Sequence, residues 1–165
     1  MTDTARLSRV VLEEDAGGNL PPLLEADRAQ AVADLVASNR FEPLALKRAH
    51  DADGPYALHL AIRDGRLVFD IRHDDDAPLA AIGLALGPFR SLIKDYAMLV
   101  DSHIAAVHEG RMERIQAIDM GRRGLHNEGA ELMRARLDGK IDIDFDTARR
   151  LFTLVCVLCQ RVSAR

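Results

Sequence analysis

Between Tyr56 and His73 the chain alternates apolar and polar residues on both sides of Asp64-Gly65, the dipeptide that best supplies the two positive-φ positions of a type I′ turn. A two-residue loop fixes the register of the hairpin Tyr56–Arg63/Arg66–His73. Leu58 opposes Ile71, Leu60 opposes Phe69 and Ile62 opposes Leu67 on one face, while His59 opposes Asp70 on the other. A third strand, Leu79–Leu86, follows the acidic turn Asp74–Pro78 and completes an antiparallel meander. Near the N-terminus, Leu7–Glu13 alternates as a short strand, closed by the turn cluster Asp15-Ala16-Gly17-Gly18-Asn19.

Elsewhere the period is that of a helix. Leu24, Ala31, Val32, Leu35 and Val36 form one stripe within Leu23–Ser38, with Glu25, Asp27, Arg28 and Asp34 mostly off it. His50–Pro55 is a polar loop. After Gly87-Pro88, residues Phe89, Leu92, Ile93, Tyr96, Val100, Ile104 and Val107 recur at three and four, and Gly110 is a natural stop. A shorter helix, Arg111–Asp119, turns Met112, Ile115 and Ile118 inward. Gly121, Gly124 and Gly129 would each weaken a continuous helix by about 1 kcal/mol relative to Ala, which predicts a break at Met120–His126 and a restart at Asn127, an N-cap residue, running to Leu137. The final helix, Asp146–Val162, is apolar nearly all round and predicts the central buried element, with Leu151, Phe152, Val155 and Leu158 in the core. Strands clustered early and helices in a run afterwards predict an α+β fold over residues 1–165 as one domain. Its small antiparallel sheet is a three-stranded meander plus a possible N-terminal strand, with helices packed on one face.

Composition narrows the function classes. The chain has 165 residues, 48% of them apolar and 29% charged, with a net charge of −4, so nothing in its overall field would hold a nucleic-acid backbone or an acidic membrane. Aromatic residues at 4% and no Trp argue against a base-stacking platform. No apolar run approaches the roughly 20 residues of a spanning helix, and the start of the chain lacks a signal-peptide core. A cytoplasmic, reduced setting is expected.

Several chemical motifs have plain readings. Cys156 and Cys159 have redox spacing but fall late in an apolar helix, where thiols are buried and inert. Asp142-x-Asp144-x-Asp146 opens like a calcium loop, yet Thr147 and Thr153 replace its glycine and bidentate glutamate; Asp144 or Asp146 serves better as the cap of the last helix. His59 beside Asp70 reads as a surface pair, with no nucleophile placed next to it. No metal set or nucleotide fingerprint stands out, and no cofactor is expected.

The segment Asp119-Met120-Gly121-Arg122-Arg123-Gly124-Leu125-His126-Asn127-Glu128-Gly129 is the most informative. Two guanidiniums, an imidazole and a predicted helix start at Asn127 gather among glycines that permit close backbone approach, a recipe for holding a phosphate or carboxylate. Arg122, Arg123, His126 and Asn127 are therefore the candidate binding residues. The structural alternative pairs the arginines with Asp119, Glu128 or Glu131.

The blocks RLVFDIR at 66–72, FRSLIKDYAM at 89–98, IDMGRRGLHNEGAE at 118–131 and FDTARRLFTLVCVL at 145–158 together resemble a bacterial group, uncharacterised protein family 0262. The resemblance runs from the hairpin to the C-terminus, with GRRGLHNEG its most specific part. It implies a bacterial, single-domain, cytoplasmic protein and carries no activity, cofactor or catalytic residue onto any position. The expectation is a non-catalytic binding or regulatory protein whose partner is another protein or a small anionic ligand. The alternative is an enzyme or sensor acting on a phosphorylated or carboxylated small molecule through Arg122, Arg123 and His126.

Overall fold

The computed structural model describes residues 4–13, 20–47, 49 and 51–163, with the side chains of 161–163 left aside; the turn cluster Asp15–Asn19 lies outside the described residues. The hairpin forms as its alternation predicts. Strands β3 (Tyr56–Arg63) and β4 (Arg66–His73) pair antiparallel in the expected register, with Leu60 opposite Phe69 and His59 opposite Asp70. Asp64 and Gly65 take φ of 53° and 72°, the backbone a type I′ turn requires. Strand β5 (Pro78–Ala85) adds antiparallel to β4.

The N-terminal strand β1 (Leu7–Leu12) joins the other side of the hairpin parallel to β3, which makes the sheet mixed rather than wholly antiparallel, in the order β1-β3-β4-β5. A helix between β1 and the meander permits this: α1 (Pro22–Ala37) carries the chain back before β3 begins. Two three-residue strands escape the sequence pattern. Between α1 and β3 lies β2 (Phe41–Pro43), and it pairs antiparallel with β6 (Ile141–Ile143), Phe41 opposite Ile143.

Helices α2 (Arg90–Glu109) and α4 (Phe145–Ser163) match their predicted spans closely. Asp144 caps α4, its Oδ1 accepting the Thr147 N–H at 2.9 Å. Leu151, Phe152, Val155 and Leu158 are buried, so α4 is the hub on which α1, α3 and β3 pack.

The helix between α2 and β6 corrects two expectations. Residues Met112–Leu137 form one continuous helix, α3, with no break at Met120–His126. Asn127 is consequently an exposed mid-helix residue and caps nothing. Packing overrides the glycine penalty. A Cβ on Gly129 would run into the Phe152 ring, so the missing side chain lets α3 and α4 close on each other. Four residues expected inside face solvent instead: Val36, Ile104, Val107 and Met112. On α2 the inward face is carried by Tyr96, Val100 and Ala106, which leaves Ile104 and Val107 off it. Asp27 corrects a further expectation. It belongs to the buried stripe Leu24, Asp27, Ala31 and Leu35 of α1.

The helices cover the face of the sheet that carries Leu58, Leu60, Phe69 and Ile71. The outer face bears a lattice of charge instead. His59 does not bond the Asp70 opposite it: its Nε2 lies 3.2 Å from Asp76 and its Nδ1 3.8 Å from Glu13, while Asp70 accepts from Arg72 at 2.7 Å. Among the described residues no helix is long and apolar enough to cross a membrane.

Candidate functional site

Helices α1, α3 and α4 enclose a cleft of about 150 Å³. From α1 come Asp27, Gln30 and Asp34; from α3, Arg122, Arg123 and His126; from α4, Arg149, Arg150 and Thr153. The α3 residues converge because a helix stacks i and i+4 on one face, so Arg122 and His126 align along the cleft and Arg123 flanks them. The fourth predicted residue, Asn127, is not part of this lining.

Asp27 anchors the floor. It is 8% exposed, and a buried carboxylate requires partners. Tyr96 of α2 donates its hydroxyl to Asp27 Oδ2 at 2.5 Å. Arg122 Nη1 donates to Asp27 Oδ1, and its Nη2 reaches Asp119 at 3.2 Å. Arg122 is thus bound to a carboxylate, as the structural alternative expected, but the main one comes from α1, 95 residues away in sequence. Burial pulls the Arg122 pKa down, and Asp27 and Asp119 more than reverse it. Burial, reinforced by Asp27, drives the Tyr96 phenol upward.

His126 is the unusual member. It is 7% exposed, packed against the Tyr96 ring with centroids 5.5 Å apart, and edge-on to Phe152 at 6.5 Å. Its Nε2 is buried without a hydrogen-bond partner, and so is Arg122 Nε. A buried polar atom left unpaired is rare and costs about 1–3 kcal/mol. Burial pushes the His126 pKa down to about 4; Asp27 opposes that shift, and the Arg122 and Arg149 cations add to it. The imidazole is neutral at pH 7.

The remaining charges are divided. Arg150 lies 3.9 Å from Asp34 and donates to the Ser38 carbonyl at 3.3 Å. Arg123 and Arg149 form no ion pair among the described residues. The cleft therefore sets four guanidiniums against two carboxylates, an excess of cation around a small concave space in a chain whose net charge is negative.

The cysteines lie outside the cleft, and only Cys156 is buried as expected; Cys159 is half-buried. Both are free; Cys156 is buried with its thiol pushed far up by burial, and burial raises Cys159 to about 11. Among the described residues no group of three or more His, Cys, Asp or Glu is placed to hold a metal ion.

Asp27, Tyr96, Arg149 and the Asp34–Arg150 pair are among the participants that the sequence alone did not bring forward. Asp27 did leave a signal, a carboxylate three residues after Leu24 and four before Ala31, squarely on an apolar stripe. Tyr96 and Arg149 left none, since only the packing of α2 and α4 brings them to α1.

Comparison with known proteins gives one consistent result. The model of the Uncharacterised protein family (UPF0262) matches residues 4–161, including the N-terminal region. A UPF0262 protein of Granulibacter bethesdensis is 65% identical over 95% of this chain and 91% of its own length. Relatives of the same description from Acidiphilium cryptum and Maricaulis maris are 64% and 49% identical, covering 94% and 96% of this chain and 93% and 96% of their own. No solved structure matches.

Proposed function

Because the chain belongs to the bacterial family UPF0262, whose description assigns no activity, we propose a function from the cleft itself: a binding protein that takes a small anion, a phosphate or carboxylate group, between α1, α3 and α4. One observation carries this reading. A nine-tenths-buried imidazole with an unpartnered Nε2 lines the same small cleft as Arg123 and Arg149, two guanidiniums without a carboxylate. Planar guanidiniums match the oxygen geometry of phosphate and carboxylate.

Binding fits better than acid–base chemistry. Asp27 is already engaged by Tyr96 and Arg122. His126, at about 4, is a weak base at neutral pH, and both thiols are held protonated; efficient catalysis favours groups that titrate near the operating pH. An anion in the cleft would offset Arg122 and Arg149, raise the His126 pKa and couple binding to proton uptake. Affinity then strengthens as pH falls. The proposed setting is the reducing cytoplasm, which suits two free cysteines.

The test is a thermal-shift titration of the full chain with inorganic phosphate, citrate and nucleotide monophosphates, at constant ionic strength set with chloride. A ligand that binds the native state raises Tm in a saturable way. The expected result is such a rise with at least one of these anions, abolished in Arg123→Ala/Arg149→Ala, whose own Tm stays near that of wild type. No saturable rise with any of them, or an undiminished rise in the double variant, rejects the proposal.

A further inference from the structure

The two edges of the four-stranded sheet are finished differently. At the β1 edge, the Asn39 side chain accepts the Leu7 N–H at 2.7 Å and donates to the Leu7 carbonyl at 2.9 Å, and Arg9 and Glu13 place charges along the strand. At the opposite edge, β5 reads Pro-Leu-Ala-Ala-Ile-Gly-Leu-Ala, without a charged residue. Native proteins usually blunt an exposed edge with charge, proline or a bulge. Here Pro78 and the irregularity opposite Ile71/Arg72 protect one end only, leaving Ala80–Ala85 open.

The ladder shows which backbone groups are free. Arg63 and Arg66 close a two-residue hairpin and exchange both hydrogen bonds, so the alternate residues of β4, Leu67, Phe69 and Ile71, direct their peptide groups at β5. Their partners Leu84, Ile82 and Ala80 bond inward. The Leu86 N–H donating to Gly65 O at 3.4 Å continues the same phase. Ala81, Gly83 and Ala85 therefore point N–H and C=O away from the sheet, and all three carry the smallest side chains available.

We propose that β5 pairs antiparallel with the β5 of a second copy of this chain across a two-fold axis, joining two four-stranded sheets into one of eight. Centring the dyad on Ile82 sets Ala81 against Gly83 of the other copy as hydrogen-bonded pairs and Ile82 against itself as a non-hydrogen-bonded pair. Every outward-facing group over that stretch then finds a partner. The strand is self-complementary: with no charge between Pro78 and Ala85, the two-fold opposes no like charges, as an isologous contact must avoid. The same pairing covers Leu79, Ala80 and Ile82, which the monomer leaves only partly buried.

Sedimentation of the full chain up to high micromolar concentration tests this. The expected mass is that of two chains for the wild type and one for Ala81→Lys, with unchanged circular dichroism. Ile82→Cys supplies a readout that leaves the edge intact. Non-hydrogen-bonded antiparallel residues approach to about 4.5 Å between Cα atoms, within disulfide range, so mild oxidation should link two copies, whereas the wild type, with its own Cys156 and Cys159, stays unlinked. A wild-type monomer throughout the range overturns the proposal and leaves the edge to a strand of another protein. A dimer that survives in folded Ala81→Lys, or that fails to cross-link through Ile82→Cys, overturns it in favour of a different face.

Discussion

Two histidines in this molecule are buried to nearly the same degree, His59 at 9% exposure and His126 at 7%, and their surroundings could hardly differ more. His59 sits at the centre of the outer sheet face beneath a mesh of Arg9, Glu13, Arg63, Arg72 and Asp76, with a carboxylate near each ring nitrogen. Its polar groups are satisfied by neighbours that are themselves wet. His126 lies among Tyr96, Phe152 and Arg122, and its Nε2 has nothing to bond. The first arrangement is complete, and a ligand would have to displace what is already there. The second is a preformed deficit in a cationic cleft, which a ligand oxygen would relieve. Burial alone does not separate a structural histidine from a binding one; the state of its nitrogens does.

The largest expected difference between the regions is in the carboxylates. Asp27→Ala strips Arg122 of its main partner and leaves the Tyr96 hydroxyl unpaired in the interior. Breaking a buried pair in this way costs about 3–5 kcal/mol, and chemical denaturation should read a loss of that size. Asp76→Ala removes a carboxylate from a site open to water, where the flanking Arg9 and Arg72 can rehydrate. His59 loses its Nε2 contact but keeps Glu13 beside Nδ1, so the loss should be small beside that of Asp27→Ala. Equal losses in the two variants would erase the distinction between the clusters.

A smaller effect follows from pH. Burial sets His126 near 4 against an ordinary 6.5, so the unfolded chain takes up the proton first. The stability associated with this group is complete above about pH 6.5 and is lost as pH falls toward 4, by on the order of 3 kcal/mol. Denaturation midpoints at pH 7 and pH 4.5 should diverge less in His126→Gln than in wild type. An identical divergence in the two proteins would mean that His126 is not the group responsible.

The same contrast governs what could be read in advance. The hairpin was legible to the residue pair because all its determinants, alternation and turn, lie within eighteen consecutive residues. The strands β2 and β6, three residues each and far apart in the chain, with Pro43 opposite Ile141, have no period long enough to detect. Arg122, Arg123 and His126 stood out by composition, and the cleft does gather them. Their spacing among glycines predicts a loop leading into a helix at Asn127, whereas the structure has one helix face. What sequence could not supply is the Asp27–Arg122 contact between α1 and α3 and the ring of Phe152 over Gly129, since both depend on how helices meet. Local rules spoke for breaking α3, and interhelical packing overrode them.

The smallest effect probes that override within α3 itself. Gly129 faces the core, and the Phe152 ring fills the space its side chain would need. Gly124 is exposed, and a Cβ built there meets nothing within 4 Å. Because α3 is continuous through this stretch, Gly124 supplies no contact and merely leaves the unfolded chain more freedom to lose. Gly124→Ala should then stabilise the protein by up to about 1 kcal/mol, with anion binding unchanged. A helix broken at Met120–His126 would instead place residue 124 in a turn, and alanine there would be neutral or destabilising. The sign of this one substitution, read from a denaturation midpoint, therefore decides between a helical and a looped origin for the Arg122–His126 face.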